Sequence, residues 1–224
     1  MNNELQKRIF TSITLLTGIV FLTFVDPVVF QISVFLIMII CYLEWSKFNE
    51  YYFKKNPLKY FLIKLFGVIY LTFVAYSAYH LRGSSFEEAI FFIFILSICA
   101  SSDVGGYVFG KSIGGKKLTK ISPKKTVSGS IGSFITSLIP IIFCSFFDNL
   151  NFIIDFNFVN IFFVLLISFF CQVGDIFISY FKRLNKVKDT GSILPGHGGF
   201  LDRIDGMIVA IPVAYIFDSL NFIV

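Results

Sequence analysis

Five carboxylates stand in, or at the edge of, apolar stretches where an ionised side chain is costly: Glu44, Asp103, Asp175, Asp202 and Asp205. Asp103 lies in "CASSDVGGYVFGKSIGG" and Asp175 in "CQVGDIFISYFKR". Asp202 and Asp205 are three residues apart, a spacing that puts both on one face of a helical turn. Acids gathered without matching buried bases repel one another, and a divalent cation resolves the repulsion. Mg2+ suits the donor type, because it takes oxygen ligands and is commonly held by one or two carboxylates together with substrate phosphates. The positive charge such phosphates need is present in Lys124, Lys125, Lys182, Arg183, Lys188 and Arg203. Gly105-Gly106, Gly114-Gly115, Ser128-Gly129-Ser130 and Gly196 to Gly199 offer turns with exposed backbone N–H groups. Together these residues point to phosphoryl or nucleotidyl transfer at a membrane surface.

The elements that must hold these residues are membrane helices. Of 224 residues 56% are hydrophobic and 31 are Phe, and the mean hydropathy is +0.80. Only 15% are charged, against roughly 25% in an ordinary soluble domain. A soluble fold of this size cannot bury so much apolar surface, so the chain reads as an all-α integral membrane protein. A span takes about 20 apolar residues, and seven candidates follow: 8–25, 28–46, 59–81, 88–109, 129–147, 157–181 and 206–223. The expectation is one polytopic domain over 1–224, a bundle of about seven transmembrane helices with cytoplasmic catalytic loops. Residues 1–99 supply N-terminal spans and 100–210 the catalytic part. The first apolar run lacks a small-x-small cleavage site before Asp26-Pro27 and reads as a retained span. Cys41, Cys99, Cys144 and Cys171 all lie in apolar stretches and read as buried hydrophobes, not a disulfide framework.

Charge asymmetry gives an orientation. With the N-terminus and its Lys7 and Arg8 in the cytoplasm, the cytoplasmic loops become 46–59, 110–128 and 182–205, and 17 of the 19 basic residues lie on that side. The net charge of +5 is then a membrane-topology signal and not a nucleic-acid footprint. Asp103 and Asp175 each fall about seven residues before the cytoplasmic end of a span, roughly 10 Å deep at 1.5 Å per residue. The other acids gather at a similar depth.

Plainer readings stand beside each feature. A single intramembrane Asp also serves structural pairs and transport paths. Glu44, next to Trp45 at the end of its span, reads first as an ordinary interface residue. Lysine runs suit any solvated cytoplasmic loop, and Gly105-Gly106 suits close helix packing. His197, flanked by Pro195, Gly196, Gly198 and Gly199, marks a shaped loop, whereas His80 is incidental. An ion-coupled transporter remains open on these residues, although it predicts acids spread across the bilayer. So does another membrane enzyme acting on lipid phosphates.

Two blocks carry a family resemblance. "SYFKRLNKVKDTGSILPGHGGFLDRID", Ser179 to Asp205, resembles the signature of the CDP-diacylglycerol synthase (phosphatidate cytidylyltransferase) family. The matching positions are Ser179, Lys182, Arg183, Lys188, Asp189, Pro195 to Gly199, Asp202, Arg203 and Asp205. Upstream, Asp103, Gly110, Lys111, Ser122, Pro123, Lys124, Lys125, Thr126 and Gly129 are similar to the family's second block. Ser128 departs from it, standing where many members have Glu. The resemblance is dense from about residue 100 to 210 and thin before that.

What it implies is transfer of CMP from CTP to phosphatidic acid with release of pyrophosphate, in phospholipid biosynthesis, with Mg2+ as cofactor and a second, monovalent cation left open. It assigns Asp175, Asp202 and Asp205 to the metal, with Asp103 as a further ligand or an acid behind them. Lys124, Lys125, Lys182, Arg183, Lys188 and Arg203 would hold triphosphate and lipid phosphate, and Ser179 would bond a phosphate. His197, Gly198 and Gly199 would shape the nucleotide loop. The implied setting is the cell inner membrane, multi-pass, with the lipid bilayer as partner and a homodimer left open.

Overall fold

The computed structural model describes residues 3–146, 154–194 and 198–220, with side chains from Phe10 onward. Pro195, Gly196 and His197, singled out above, lie outside the described residues. The described residues are helical, with no strand beyond two isolated bridges. The helices are α1 (Asn3–Phe24), α2 (Pro27–Phe48), α3 (Glu50–Phe53), α4 (Pro57–Arg82), α5 (Phe86–Ser112), α6 (Val127–Ser137), α7 (Ile139–Ser145), α8 (Phe158–Leu184), α9 (Leu201–Ile204) and α10 (Met207–Ser219).

Local chemistry sets the starts of five of these helices. Asp26 caps α2 by accepting from Val28 N at 2.8 Å, and Pro27 at the first helical position has no N–H to lose. Asn56 and Pro57 repeat the device at α4. At α5, Ser85 and Glu88 form a reciprocal capping box. Thr126 caps α6 and Asn157 caps α8.

By length and composition five helical segments suit a membrane: α2, α4, α5, the joined α6–α7 segment Val127–Ser145, and α8. The seven expected spans each coincide with helix, but the first and last are shorter apolar runs, Phe10–Phe24 and Met207–Ser219. The fifth is split at Leu138, because Pro140 cannot donate to the α-helical ladder. Apolar side chains that face outward, among them Phe21, Phe35, Phe61, Phe143 and Phe158, need lipid around them. In α2 only Phe30, Cys41, Glu44, Trp45 and Phe48 are buried. The chain is therefore an all-α, multi-pass membrane protein, and its four cysteines are buried and free, as expected.

Two apolar clusters form the interior. The larger, around Phe30, Leu81, Phe92, Ile95, Ile98, Ile141 and Phe163, ties α5 to α2, α4, α7 and α8. The smaller joins Cys41, Trp45 and Phe48 of α2 to Leu71 and Val74, Ile178, Leu201 and Ile208. This second cluster underlies the polar loops. Trp45 fixes α2 on α4: its Nε1–H donates to Ile63 O at 2.9 Å, and its ring fills the space a side chain at Gly67 would need.

Candidate active site

Close helix approach brings the acids together. Asp103 rides on α5, which meets α6 through Gly105, Gly106, Gly129 and Gly132. A Cβ on Gly129 would lie 2.7 Å from Gly106 O, and one on Gly106 would lie 2.7 Å from Ser133 Oγ. Ser133 Oγ donates to Ser102 O at 2.7 Å, Thr136 Oγ1 to Ser101 O at 2.7 Å, and Ser102 bonds Ser168 of α8 at 2.9 Å. Gly105-Gly106 is thus a helix-packing device and not a phosphate turn. Across the same seam Ser130 Oγ donates to Gln172 Oε1 at 2.6 Å, and Gln172 Nε2 is buried without a partner among the described residues. Cys171 Sγ reaches Asp103 Oδ1 at 3.9 Å, a weak thiol contact, and Asp103 stays open to the outside.

A second close approach places Asp205 by Asp175. The backbone of Asp205 and Gly206 lies where a side chain on Gly174 would stand, with Gly206 Cα 3.0 Å from that position. Gly206 in turn abuts Cys171. The start of α10 therefore sits on α8 one residue from Asp175. Desolvation pushes the Asp205 carboxyl up to about 8, the charge of Asp175 pushes the same way, and Lys182 opposes them. Asp103 adds further repulsion.

Lys125, just before the Thr126 cap of α6, forms an ion pair with Asp175 Oδ2, and Ser179 Oγ lies 3.4 Å from Asp175 Oδ1. This pair links the upstream block to the downstream one. The intervening loop is ordered: Leu118 N donates to Lys125 O at 2.8 Å and Val127 N to Lys116 O at 3.0 Å. Ser128 bonds Gly114 O and Thr126 Oγ1 and so holds the loop. Gly114 and Gly115, at φ 67 and 103, turn the chain in open space.

The remaining residues divide in a way their spacing does not reveal. Lys182 Nζ bonds Asp202 Oδ1 at 2.8 Å, with both side chains buried. Asp202 Oδ2 accepts Thr190 N at 2.8 Å and Gly199 N at 3.0 Å. Burial would raise this carboxyl, but Lys182 and the two backbone donors outweigh it and hold it below the usual range. Asp202 and Lys182, expected on metal and phosphate respectively, pair with each other. Lys124, Arg183, Lys188 and Arg203 are exposed, and Arg183 reaches Val187 O at 3.4 Å. Gly198 takes φ 86 and faces Asp202, while Gly199 is buried.

Glu44 corrects the interface reading outright. It is 4% exposed, and its carboxylate accepts from Thr190 Oγ1, Phe200 N and Leu201 N. Thr190 and Gln172 carry no signal in the sequence that marks them for the site. A carboxylate in an apolar run was the one signal available for Glu44.

The donor set fits a small hard cation in one manner. Asp103, Asp175 and Asp205 offer oxygen alone, yet among the described residues no three His, Cys, Asp or Glu groups gather into a ready metal shell. Oxygen donors of this kind would suit Mg2+, which takes one or two carboxylates together with substrate phosphates.

Paired acids and the lysine of the upstream block therefore meet in one site of an all-helical membrane protein. The model of the cytidylyltransferase family matches residues 53–220, and the chain belongs to that family. It is similar to the phosphatidate cytidylyltransferase of Staphylococcus haemolyticus, 47% identical over 117 residues, covering 50% of this chain and 42% of the relative. The Staphylococcus saprophyticus protein of the same name is 35% identical over 158 residues, 68% of this chain and 58% of the relative. That of Rickettsia bellii is 40% identical over 125 residues, 54% of each. The chain thus matches about half the length of these relatives.

Proposed function

We propose that the chain is a phosphatidate cytidylyltransferase of the inner membrane, with its N-terminus and polar loops cytoplasmic. The observation that carries this reading is the Lys125–Asp175 ion pair, which joins the two polar blocks into one site at one end of the bundle. A phosphate oxygen of phosphatidic acid attacks the α-phosphorus of CTP. One P–O bond forms, the bond to the β-phosphate oxygen breaks, and pyrophosphate leaves. No covalent enzyme intermediate is needed, so the protein's work is positioning and charge neutralisation.

Lys124, Lys125, Arg183, Lys188 and Arg203 draw the triphosphate and the lipid phosphate to the mouth. Ser179, on the same helix face as Asp175, offers a hydroxyl to a phosphate oxygen. Asp175 and Asp205 would hold Mg2+, with Asp103 next to them; the ion would neutralise phosphate charge as it develops. Asp202 and Lys182 belong to the frame, gripping Thr190 and Gly199 so that the glycine loop keeps its shape. Lys125 trades its ion pair with Asp175 for a phosphate when the nucleotide arrives.

The test follows the label. CTP carrying labelled α-phosphorus is supplied with phosphatidic acid and Mg2+ in liposomes, in parallel with CTP labelled at the γ-phosphorus. Label entering lipid from the α position alone supports cytidylyl transfer. Entry from the γ position would mean a kinase and overturn the reading.

A further inference from the structure

The buried acid on α2 is bonded to residues near the far end of the chain. We propose that Glu44 is a positioning residue, which clamps Thr190 and residues 199–201 so that the segment bearing Gly198, Gly199, Arg203 and Asp205 is preformed for the nucleotide; this rests on the transferase reading above.

Glu44 is buried, and a buried charge persists only when hydrogen bonds meet it. Its Oε1 accepts Phe200 N at 2.9 Å, and its Oε2 accepts Leu201 N at 2.9 Å and Thr190 Oγ1 at 3.1 Å. The donors lie 146 to 157 residues away in sequence, all in the polar segment. Asp202 takes the complementary groups, the N–H of Thr190 and of Gly199. Thr190 is thus held by its hydroxyl and its backbone, and the N–H groups of residues 199, 200 and 201 are all committed. The approach is tight on both sides: a Cβ on Gly191 would lie 2.6 Å from Oε1, and one on Gly199 would lie 2.5 Å from Oε2.

Other contacts already fasten α2 to the bundle. Asn185 Nδ2 of the α8 cap bonds Asn49 Oδ1 at 2.9 Å, Tyr52 N donates to Asn185 Oδ1 at 3.0 Å, and Trp45 packs on Phe181 at 5.0 Å between ring centroids. What Glu44 adds to these is a hold on the loop. Asp205 follows Leu201 by one short helix, so a shift of that turn carries the acid with it.

The full chain is purified and reconstituted, and Glu44→Gln is compared with wild type. Gln keeps the volume but turns an NH2 towards a backbone donor. The KM for CTP rises about tenfold, the factor one charge-assisted hydrogen bond is worth, while the KM for phosphatidic acid and the melting temperature hold. Amide exchange of a peptide covering 198–205 quickens. Asn49→Ala, which loosens α2 at the same end without touching the loop, leaves the KM for CTP in place. An unchanged KM and exchange in Glu44→Gln, or the same KM rise in Asn49→Ala, overturns the clamp. If Glu44→Gln does not fold, Thr190→Val removes one donor and carries the same expectation. If wild type does not use CTP, the transferase reading falls, and exchange alone decides the clamp: no quickening overturns it.

Discussion

At the scale of single residues, a lysine and an aspartate buried against each other hold one another in place. Lys182 and Asp202 are such a pair, with side chains 10% and 3% exposed. Removing one partner leaves the other charged and without compensation, at a cost of about 3–5 kcal/mol. Asp202→Asn is therefore expected to lower the melting temperature in detergent sharply, while the exposed Lys188→Ala leaves it in place. Asp205 behaves in the opposite sense. Its carboxyl is raised from 3.8 to about 8 by desolvation and then by Asp175, so the folded protein prefers it protonated. Stability of the metal-free protein is greatest below pH 4 as far as this group is concerned, and is lost as pH rises through about 8. A cation held here would need the ionised form, so Mg2+ is expected to release protons on binding and to bind more tightly as pH rises over the same window. Calorimetry in two buffers of different ionisation heat measures the release. These partnerships were only half legible in the sequence. Acids in apolar runs announce themselves, but 20 residues separate Lys182 from Asp202 and nothing in their spacing says they meet.

At the scale of elements, small residues decide how near two helices come and therefore where an acid ends up. Gly174 lets the backbone of Asp205 reach α8, and Gly206 lets α10 pass Cys171. Gly174→Ala forces that contact apart; overpacking of this kind costs about 1–3 kcal/mol, and Asp205 moves away from Asp175. Activity is expected to fall further than stability does. Gly18, with nothing near its Cβ position, is the control: Gly18→Ala holds or raises the melting temperature, as Ala is favoured over Gly within a helix. Helix positions were legible because apolar runs of span length alternate with polar loops, and Asp26-Pro27 marks the first break. The short α3 and α9 were not, since each depends on local geometry that composition does not encode. Glu44 was misread for a related reason: its neighbours in space, Thr190, Phe200 and Leu201, lie at the far end of the chain.

At the scale of the whole molecule, apolar faces turn outward and the polar segments meet at one end. Asn49 and Tyr52 touch Asn185, Lys125 touches Asp175, and Glu44 touches the turn before α10. Distribution of lysine predicts that this end faces the cytoplasm. A single cysteine in place of the exposed Lys117, in a background lacking the native four, is expected to react with an impermeant maleimide from the cytoplasmic side alone. A lipid head group held at the inner leaflet and a nucleotide arriving from water would meet there, among acids that repel each other until a cation and phosphates join them.

The most direct measurement is incorporation of α-labelled CTP into lipid by the reconstituted chain, for wild type and Asp205→Asn. The prediction is that wild type transfers label only when CTP, phosphatidic acid and a divalent cation are all present, and that Asp205→Asn, folded by its melting profile, loses most of that rate. A well-folded wild type that transfers no label, or an Asp205→Asn variant as fast as wild type, would contradict the account.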